Sequence, residues 1–509
     1  MEQKRNGFGT RIGFELAAAG SAVGLGNLWG FPYKASANGG AAYLFVYLAC
    51  IFLVGAIAML AEFYIGRRSK ANPVSAYKAV SPGWGWIGLL AVVVPALIMC
   101  YYYVLGGYTV KYALNSFVGN AGRFQSFAGN VGDVILHTVV FALLALAIVT
   151  AGVRHGIEKA AKLLLPTMLV ILIVISSFSL LLGDGVEEGL AYYLKPDFSK
   201  LTGSGILSAM GQAFFSLSLG CGAMITYGSY SGKQVDLARS TAVVCILDGV
   251  LTFMVGLAVF PALFHYAAVS GSSLSELGMG GTGLMFITLP MVLEDMGVGG
   301  QILSLLYFTM AAIAATTSVI SILEVVTQFI IQRHKIARTR AVSVVTIACV
   351  ALSIPVGLSL GLSLNGSSDL QLFGKNLLEL LDSVTNTLLM PLCALLACIA
   401  VGWKLPKSER FTGFSGVMLR LITPALIVVI GSFGALDIVF PAAEGARAFS
   451  SDGFAVVVIA CVIVLLCALA YQFFLKNRET GSNADEAEAN ALRREKLSAG
   501  LQRGWQRPE

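Results

Sequence analysis

The sequence predicts an all-α polytopic membrane protein with about twelve transmembrane helices. Of its 509 residues, 57% are hydrophobic and 12% are charged, and its mean hydropathy of +0.80 exceeds that of soluble domains. Apolar runs of about 20 residues, the length that crosses a bilayer, recur along the chain. They lie near residues 12–35, 41–66, 86–118, 133–152, 158–182, 205–230, 240–268, 301–332, 341–362, 372–402, 416–440 and 454–475.

Basic residues alternate between the loops that connect these runs. When the chain is threaded from the inside, the inner segments hold nineteen Lys and Arg, and the outer loops hold about five. Because positive loops stay in the cytoplasm, both termini are predicted to be cytoplasmic. The net charge of +6 then reflects topology and gives no case for a nucleic-acid partner.

Two apolar runs contain residues that interrupt helices. The stretch "AAAGSAVGLGNLWGFPYKASANGG" (17–40) holds six glycines, an Asn and a Pro, and "GQAFFSLSLGCGAMITYGSY" (211–230) has central Ser and Gly residues. Backbone without hydrogen-bond partners is tolerated in a membrane only where it lines a cavity or is buried in protein. Two such spans at corresponding positions indicate an inverted repeat with a binding site at mid-membrane. The alternative is that small residues merely permit close helix packing.

This repeat divides the chain into six segments. A cytoplasmic N-terminus (1–11) precedes a first five-helix repeat (12–182), which contains spans 1–5 with broken helix 1. An outer loop (183–204) leads to a second repeat (205–402), which contains spans 6–10 with broken helix 6. Two additional transmembrane helices (403–475) and a charged cytoplasmic tail (476–509) follow.

Polar side chains cluster on the eighth span. Thr317, Ser321 and Glu324 are spaced i, i+4 and i+7, and Ser318 is adjacent to them, so the group falls largely on one helical stripe. Hydroxyls that bond to their own helix are the alternative interpretation. We assign Glu324 a structural polar role.

Two further acidic residues, Asp248 and Glu62, lie deep in apolar sequence. Carbonyl, hydroxyl and carboxylate oxygens are the ligands that hard cations prefer, and Asp248 completes such a set with the two broken helices and the Thr317/Ser318 pair. For Glu62 we favour a structural role, in which it caps the N–H groups of a broken helix.

No other cofactor or enzyme chemistry is predicted. The nine cysteines lie almost all inside apolar runs and show no CxxC or Cys/His metal spacing, so packing explains them. No nucleophile and base pair emerges near the polar cluster. We therefore expect no enzyme activity and no covalent cofactor.

Several motifs together resemble the neurotransmitter:sodium symporter family, and in particular its prokaryotic amino-acid:sodium members. They are "GSAVGLGNLWGFPYKASANGGAAY", "YYYVLGGYT", "RHGIEKAAK", "KPDFSKL", "AFFSLSLGCGAMITYGSY", "GLMFITLP" and "LLDSVTN", in the order of the family, and the resemblance covers about residues 4–475. It implies two sodium ions as coupling ions. One site would use the carbonyl of Ala22, Asn27, Ser216, Asp248 and the substrate carboxylate. The other would use the carbonyls of Gly20, Val23 and Ala314 with the hydroxyls of Thr317 and Ser318.

The resemblance also implies a substrate site beside the first sodium. The substrate carboxylate would bind the N–H groups of Leu25 and Gly26 and the hydroxyl of Tyr103. The ammonium would face carbonyls of Ala22, Phe215, Ser216 and Ser218. The substrate side chain would lie among Met99, Tyr103, Phe215, Cys221 and Ile322.

Some positions depart from the family pattern. Asp248 stands where many members have Asn, and Thr252 stands where chloride-dependent members have Ser. A fixed negative charge at residue 248 predicts uptake that does not need chloride. Cys221 replaces a larger side chain and enlarges the pocket, although Met99 would partly refill the space.

The gates depart from the pattern as well. Gly30 replaces the outer-gate Arg, so Asp382 lacks its usual partner. Arg5 is present at the inner gate, but Gln332 stands where an Asp is usual. Both gates are therefore expected to rely on aromatic residues: Tyr103 and Phe215 outside, and Tyr230 inside. The spacing from Gly156 to Pro166 indicates either a helix end that unwinds to admit water or a plain loop-to-helix junction.

The sequence therefore predicts a sodium-coupled symporter that imports a neutral, hydrophobic amino acid by alternating access. The loop after the third span (119–132) is short and free of cysteine, which indicates a prokaryotic protein in the inner membrane. Its expected partners are the amino acid, Na⁺ and the lipid bilayer. The alternative is a non-transporting sensor or a channel on the same scaffold, although a channel needs a continuous polar pore and the polar residues here cluster at one depth.

Overall fold

The computed structural model describes residues 7–119, 123–201, 203–232, 234–271 and 283–429. Within these ranges the regular secondary structure is helical apart from one short β-hairpin. Arg5, the end of the predicted eleventh span, the predicted twelfth span and the tail lie outside the described residues.

Eight helical segments of the described chain are long and apolar enough to cross a membrane, which confirms a multi-pass helical protein. They are Ala41–Ser69, Pro82–Leu114, Val131–Thr150, Val153–Ser179, Leu237–Ser270, Gly297–His334, Arg338–Leu364 and Leu377–Lys404. These match predicted spans 2–5 and 7–10 with ends shifted by a few residues. The predicted first and sixth spans are each split into two shorter helices, and a shorter apolar segment, Gly413–Val429, falls in the eleventh.

The helices of the first half follow one another with short connections. They are α1 (Arg11–Ala22), α2 (Phe31–Ala37), α3 (Ala41–Cys50), α4 (Ala56–Ser69), α5 (Pro73–Val80), α6 (Gly85–Leu114), α7 (Phe124–Gly129), α8 (Val131–Thr150), α9 (Glu158–Ser179) and α10 (Val186–Leu194). Wider π-helical turns at Gly26–Gly30, Ile51–Gly55 and Val153–Ile157 lead into α2, α4 and α9.

In the described residues after 201, nine further helices and the hairpin follow. They are α11 (Gly203–Ser216), α12 (Ala223–Tyr230), α13 (Leu237–Ser270), α14 (Leu289–Glu294), α15 (Gly297–His334), α16 (Arg338–Leu364), β1 (Gln371–Leu372), β2 (Lys375–Asn376), α17 (Leu377–Ser383), α18 (Met390–Ile399) and α19 (Gly413–Val417). The strands are antiparallel, with Gln371 opposite Asn376 and Leu372 opposite Lys375. Further π turns lie at Leu284–Thr288, Val384–Leu389, Ala400–Lys404 and Met418–Ile422.

Side-chain caps determine where several helices begin. Thr10 accepts a hydrogen bond from the N–H of Gly13 at the start of α1. Asn130 does the same for α8, and Asp236 accepts from two N–H groups of α13. Each cap satisfies N–H groups that the first helical turn leaves without a partner.

Helices α6 and α15 form the centre of the protein. In each, 72% of the most apolar stretch is buried, compared with 33% in α8, which therefore lies at the periphery. Outward-facing apolar residues such as Leu143 and Ile347 are exposed, as expected for a lipid-facing surface. Helix α1 packs against α9, α13 and α15, and α12 packs against α4. Both broken helices thus enter the centre.

Candidate functional site

The first break separates α1 from α2. Helix α1 ends because Val23 has an extended backbone (φ −81°, ψ 92°). The N–H of Gly24 donates to Asn27 Oδ1 at 3.1 Å, and the N–H of Leu25 donates to the Tyr102 hydroxyl at 3.0 Å. Buried side chains thus replace the lost helical bonds, as unwound backbone inside a membrane protein requires.

The second break separates α11 from α12. Ser218, Gly220 and Gly222 have positive φ of 51°, 78° and 71°. A Cβ on Gly220 would lie 2.1 Å from the carbonyl oxygen of Met390, so only glycine fits there. The N–H of Gly220 donates to Glu62 Oε1 at 2.6 Å. Glu62 therefore caps the broken helix, the role that we favoured for it from the sequence.

A cavity lies between the two breaks, α6, α15 and α18. Its lining residues are Ser21, Ala22, Gly24, Gly26, Ile98, Tyr102, Phe215, Ser216, Ser218, Cys221, Ser318, Ile322 and Met390. Seven of the predicted substrate residues are among them: Ala22, Gly26, Phe215, Ser216, Ser218, Cys221 and Ile322. Met390, on the tenth span, had no signal in the sequence, since it stands in an ordinary apolar run.

The α6 side of the cavity differs from the prediction by one residue. Tyr102 and Ile98 line the cavity, and the predicted Tyr103 and Met99 do not. The ring of Tyr103 instead packs edge-on against Phe141 of α8, with centroids 6.3 Å apart. Successive residues of a helix point about 100° apart, so a shift of one residue turns the side chain away. The sequence analysis chose Tyr103 from a run of three tyrosines, and that choice is wrong by one residue.

Asp248 anchors a buried polar cluster beside the cavity. Its carboxylate accepts hydrogen bonds from Asn27 Nδ2 at 2.9 Å, from Ser216 Oγ at 2.6 Å and from Tyr47 Oη at 3.0 Å. Asn27 Nδ2 also donates to Thr252 Oγ1 at 2.6 Å. Asn27, Asp248 and Thr252 have no exposed surface. The structure thus brings together the side chains predicted for the first sodium site.

Tyr47 is a member of this cluster that sequence reasoning missed. It lies within the apolar stretch of α3, and its hydroxyl contacts Ser216, Asp248 and Thr252 at 2.9 to 3.1 Å. A lone tyrosine in a membrane span usually serves to pack against neighbouring helices. Only its position relative to Asp248 therefore reveals that Tyr47 belongs to the polar cluster. In the part of the chain that the structure describes, no cluster of three His, Cys, Asp or Glu could hold a metal. The side chains around Asp248 carry hydroxyl and amide groups, and the oxygen atoms of such groups suit a hard monovalent cation.

The residues predicted for the second sodium site also lie together. A Cβ on Gly20 would lie 3.2 Å from Thr317 Cβ, so α1 and α15 are in close contact there. The Ser318 hydroxyl donates to the carbonyl of Ser21 in α1 at 3.2 Å. The Thr317 hydroxyl instead bonds within its own helix, to the carbonyl of Ala314 at 3.0 Å, as in the alternative interpretation of this stripe.

Glu324 lies in a buried network that includes Tyr230 at the end of α12 and Arg338 at the start of α16. It has no exposed surface and accepts hydrogen bonds from the Tyr230 hydroxyl at 2.6 Å and from Gln328 Nε2 at 3.0 Å. It also forms an ion pair with Arg338 at the start of α16, and Arg338 Nε donates to the carbonyl of Val149 at 2.8 Å. The network thus joins α8, α12, α15 and α16, which adds polar contacts to the aromatic gate expected from Tyr230.

The predicted inner-gate position Gln332 has another role in the structure. Its Oε1 accepts hydrogen bonds from the N–H and the Nδ2 of Asn72, at 3.1 Å and 2.5 Å. Asn72 is the residue that caps α5, so Gln332 holds that helix end against α15. Arg5 lies outside the described residues.

The N-terminal segment is fastened to the start of α9. Glu158 accepts hydrogen bonds from the N–H of Gly9 at 2.6 Å, the hydroxyl of Thr10 at 2.8 Å and Lys162 Nζ at 2.6 Å. The preceding π-helical turn, Val153–Ile157, contains Gly156. The stretch from Gly156 to Pro166 therefore supports α1 directly.

At the predicted outer gate, Asp382 of α17 accepts a hydrogen bond from Asn386 Nδ2 at 2.5 Å. Phe215, the other predicted gate residue, lines the cavity. Gly30 contributes no side chain, as predicted. Lys34, one helical turn beyond Gly30, and Lys375 both place positive charge in the surroundings of Asp382.

Comparisons with known proteins agree with this architecture. A family model described as "Sodium:neurotransmitter symporter family" matches residues 5–122 and 119–419. An uncharacterised sodium-dependent transporter of Bacillus subtilis is 33% identical over 459 residues, which cover 84% of this chain and 97% of the relative. Another from Methanocaldococcus jannaschii is 32% identical over 419 residues, covering 79% and 82% of the two chains.

A solved structure shows the same fold. The crystal structure of MhsT in complex with L-phenylalanine matches with a TM-score of 0.76 and 34% identity, covering 85% of this chain and all of that one. The family consists of sodium-dependent transporters, which confirms that the chain is not an enzyme. On these matches, the chain belongs to the sodium:neurotransmitter symporter family.

Proposed function

We propose that the protein imports a neutral, hydrophobic amino acid together with Na⁺ by alternating access around the cavity. The observation that carries this proposal is the position of Ser216. This residue lines the cavity and at the same time donates to Asp248 and accepts from Asn27. A ligand in the cavity and a cation at Asp248 would therefore both contact Ser216.

We assign two sodium ions to the two polar clusters. The first would be held by the carbonyl of Ala22, by Asn27, Ser216 and Asp248, and by the substrate carboxylate. The second would be held by the carbonyls of Gly20, Val23 and Ala314 and the hydroxyls of Thr317 and Ser318. Because the substrate carboxylate would contact the first ion directly, each would raise the affinity for the other by the same coupling free energy.

The substrate would bind with its polar groups toward the breaks. Its carboxylate would take the Tyr102 hydroxyl and the N–H of Gly26, and its ammonium would face the carbonyls of Ala22, Phe215, Ser216 and Ser218. The remaining walls are apolar, formed by Ile98, Phe215, Cys221, Ile322 and Met390. An apolar side chain would fill this space. L-Phenylalanine, the ligand of the MhsT structure, is therefore the first compound to test.

Uptake would not depend on chloride. Asp248 supplies a negative charge within the cluster and already accepts three hydrogen bonds. A carboxylate in this position supplies the charge that a bound chloride would otherwise bring.

Import requires that both termini face the cytoplasm. The concentration of basic residues in the inner segments supports this orientation. The Glu324 network would then close the inner side of the cavity, and Phe215 with Tyr102 would cover it from the outer side.

Uptake by purified protein in liposomes tests the proposal. An inward Na⁺ gradient and labelled L-phenylalanine, L-leucine and L-tryptophan are applied, with chloride or gluconate as the anion. We expect concentrative uptake of at least one of them that collapses when the gradient is dissipated, and the same rate in gluconate. Binding without accumulation would instead favour a sensor, and loss of uptake in gluconate would refute chloride independence.

A further inference from the structure

The outer half of the first broken helix contains a lysine, Lys34, whereas Gly30 at the gate position has no side chain. Gly30 ends the π-helical turn and α2 continues to Ala37, so Lys34 lies one turn beyond Gly30 on the same helical face. Side chains on a helix lean toward its N-terminus. A long side chain at position 34 therefore reaches back over Gly30.

Lys34 is joined to the first break through Gln212 of α11. Lys34 Nζ donates to Gln212 Oε1 at 2.7 Å, and Gln212 Nε2 donates to the carbonyl of Gly26 at 2.8 Å. Gln212 has no exposed surface. These bonds form a continuous connection from the outer helix to the backbone that lines the cavity.

Gly30 provides the space for this connection. A Cβ at residue 30 would lie 3.1 Å from Gln212 Oε1 and 3.4 Å from Nε2, so a side chain there would crowd the amide. Because residue 30 has no side chain, the Gln212 amide fits beside it and accepts the hydrogen bond from Lys34.

The carboxylate of Asp382 in α17 is close enough to act on the charge of Lys34 through space, but among the described residues the two groups do not form an ion pair. Lys375 also acts on Asp382, and its ammonium donates to Ser383 Oγ at 3.2 Å. Of these two lysines, Lys34 is the one whose ammonium bonds to α11, through Gln212.

From this geometry we infer that Lys34 is the outer-gate cation of this chain, acting from one helical turn beyond the usual position, and that Gln212 is the residue that positions it. The inference rests on the proposed transport function, since it assigns a gate for that cavity. Closing the outer side would draw α2, α11 and α17 together around one ammonium group.

Hydrogen–deuterium exchange of the purified full-length protein in NaCl, without any amino acid, tests this assignment. K34M keeps the length of the side chain and removes its charge, Q212L removes the connection, and K375M is the matched control. We expect K34M and Q212L each to raise amide exchange in peptides from 26–38 and 203–216 by about fivefold, the factor expected from the loss of one net hydrogen bond. Peptides from 223–230 should remain unchanged.

The double variant makes the test specific. If the two residues form one connection, K34M/Q212L exchanges no faster than either single variant, because coupled residues do not act additively. K34R, which keeps the charge, should stay close to the unaltered protein. Additive effects, unchanged exchange in K34M, or an equal effect of K375M would overturn the assignment. Since the measurement uses Na⁺ alone, it stands even if liposomes show no amino-acid uptake.

Discussion

Tyr47 and Asp248 are joined by a hydrogen bond of 3.0 Å between the phenol and Oδ2, and neither residue has exposed surface. The carboxylate there is the only acidic group that contacts Asn27 and Ser216 among the described residues. Its charge is therefore the feature that we expect to determine ion dependence.

Asp248→Asn removes that charge and keeps the shape of the side chain. We expect the Na⁺ concentration for half-maximal uptake to rise about tenfold in gluconate, equivalent to roughly 1.4 kcal/mol, and chloride to restore part of the loss. Uptake in liposomes over a series of Na⁺ concentrations measures both effects. Asp133→Asn, in the first turn of α8, is the control. Unchanged Na⁺ dependence in both anions would show that the charge of Asp248 has no part in ion binding.

Tyr102→Phe and Tyr103→Phe separate the two candidate tyrosines of α6. Removing the Tyr102 hydroxyl leaves the buried N–H of Leu25 without its partner, which costs about 1–3 kcal/mol, and also removes the expected contact to the substrate. We expect the apparent affinity for L-phenylalanine to fall by about tenfold or more. Tyr103→Phe should transport normally, because its ring faces α8. The opposite order of effects would restore the original assignment of Tyr103.

Glu324→Gln removes the carboxylate that pairs with the half-buried guanidinium of Arg338. Losing a hydrogen bond to a charged group costs about 1.5–3 kcal/mol, so the melting temperature in detergent should fall. The double variant Glu324→Gln/Arg338→Gln removes both charges, and we expect it to be more stable than Glu324→Gln. A double variant less stable than both single variants would contradict a mutual compensation of the two charges.

Gly220→Ala tests the second break. The added Cβ would collide with the backbone of Met390, and φ at this position is +78°, so the break cannot be kept without a shift of α18. We expect a strong loss of folded protein, measured by size-exclusion chromatography. Gly211→Ala, which has open space around its Cβ, should fold normally. Comparable yields of the two variants would mean that the break tolerates a side chain.

The sequence by itself determined the fold class and the residue types of the site. Hydropathy predicted the long spans, because each must match the thickness of the membrane. Glycines and hydroxyls in the first and sixth spans predicted the breaks, because polar backbone in a membrane must line a cavity or be buried. Asp248 and Glu62 were recognisable for the same reason, as charges that are expensive in apolar sequence.

Only the tertiary structure decided which neighbours these residues meet. The rotation of α6 selected Tyr102 over Tyr103, since one residue turns a helical side chain by about 100°. Tyr47, Met390 and Arg338 come from distant parts of the chain, and their types are ordinary for membrane helices. Lys34 shows the same limit. The sequence shows that Gly30 lacks the expected charge, but only the packing of α2 against α11 shows that the Lys34 ammonium bonds to Gln212 next to Gly30. Such pairings depend on how helices pack side by side, and the pattern within one helix does not specify them.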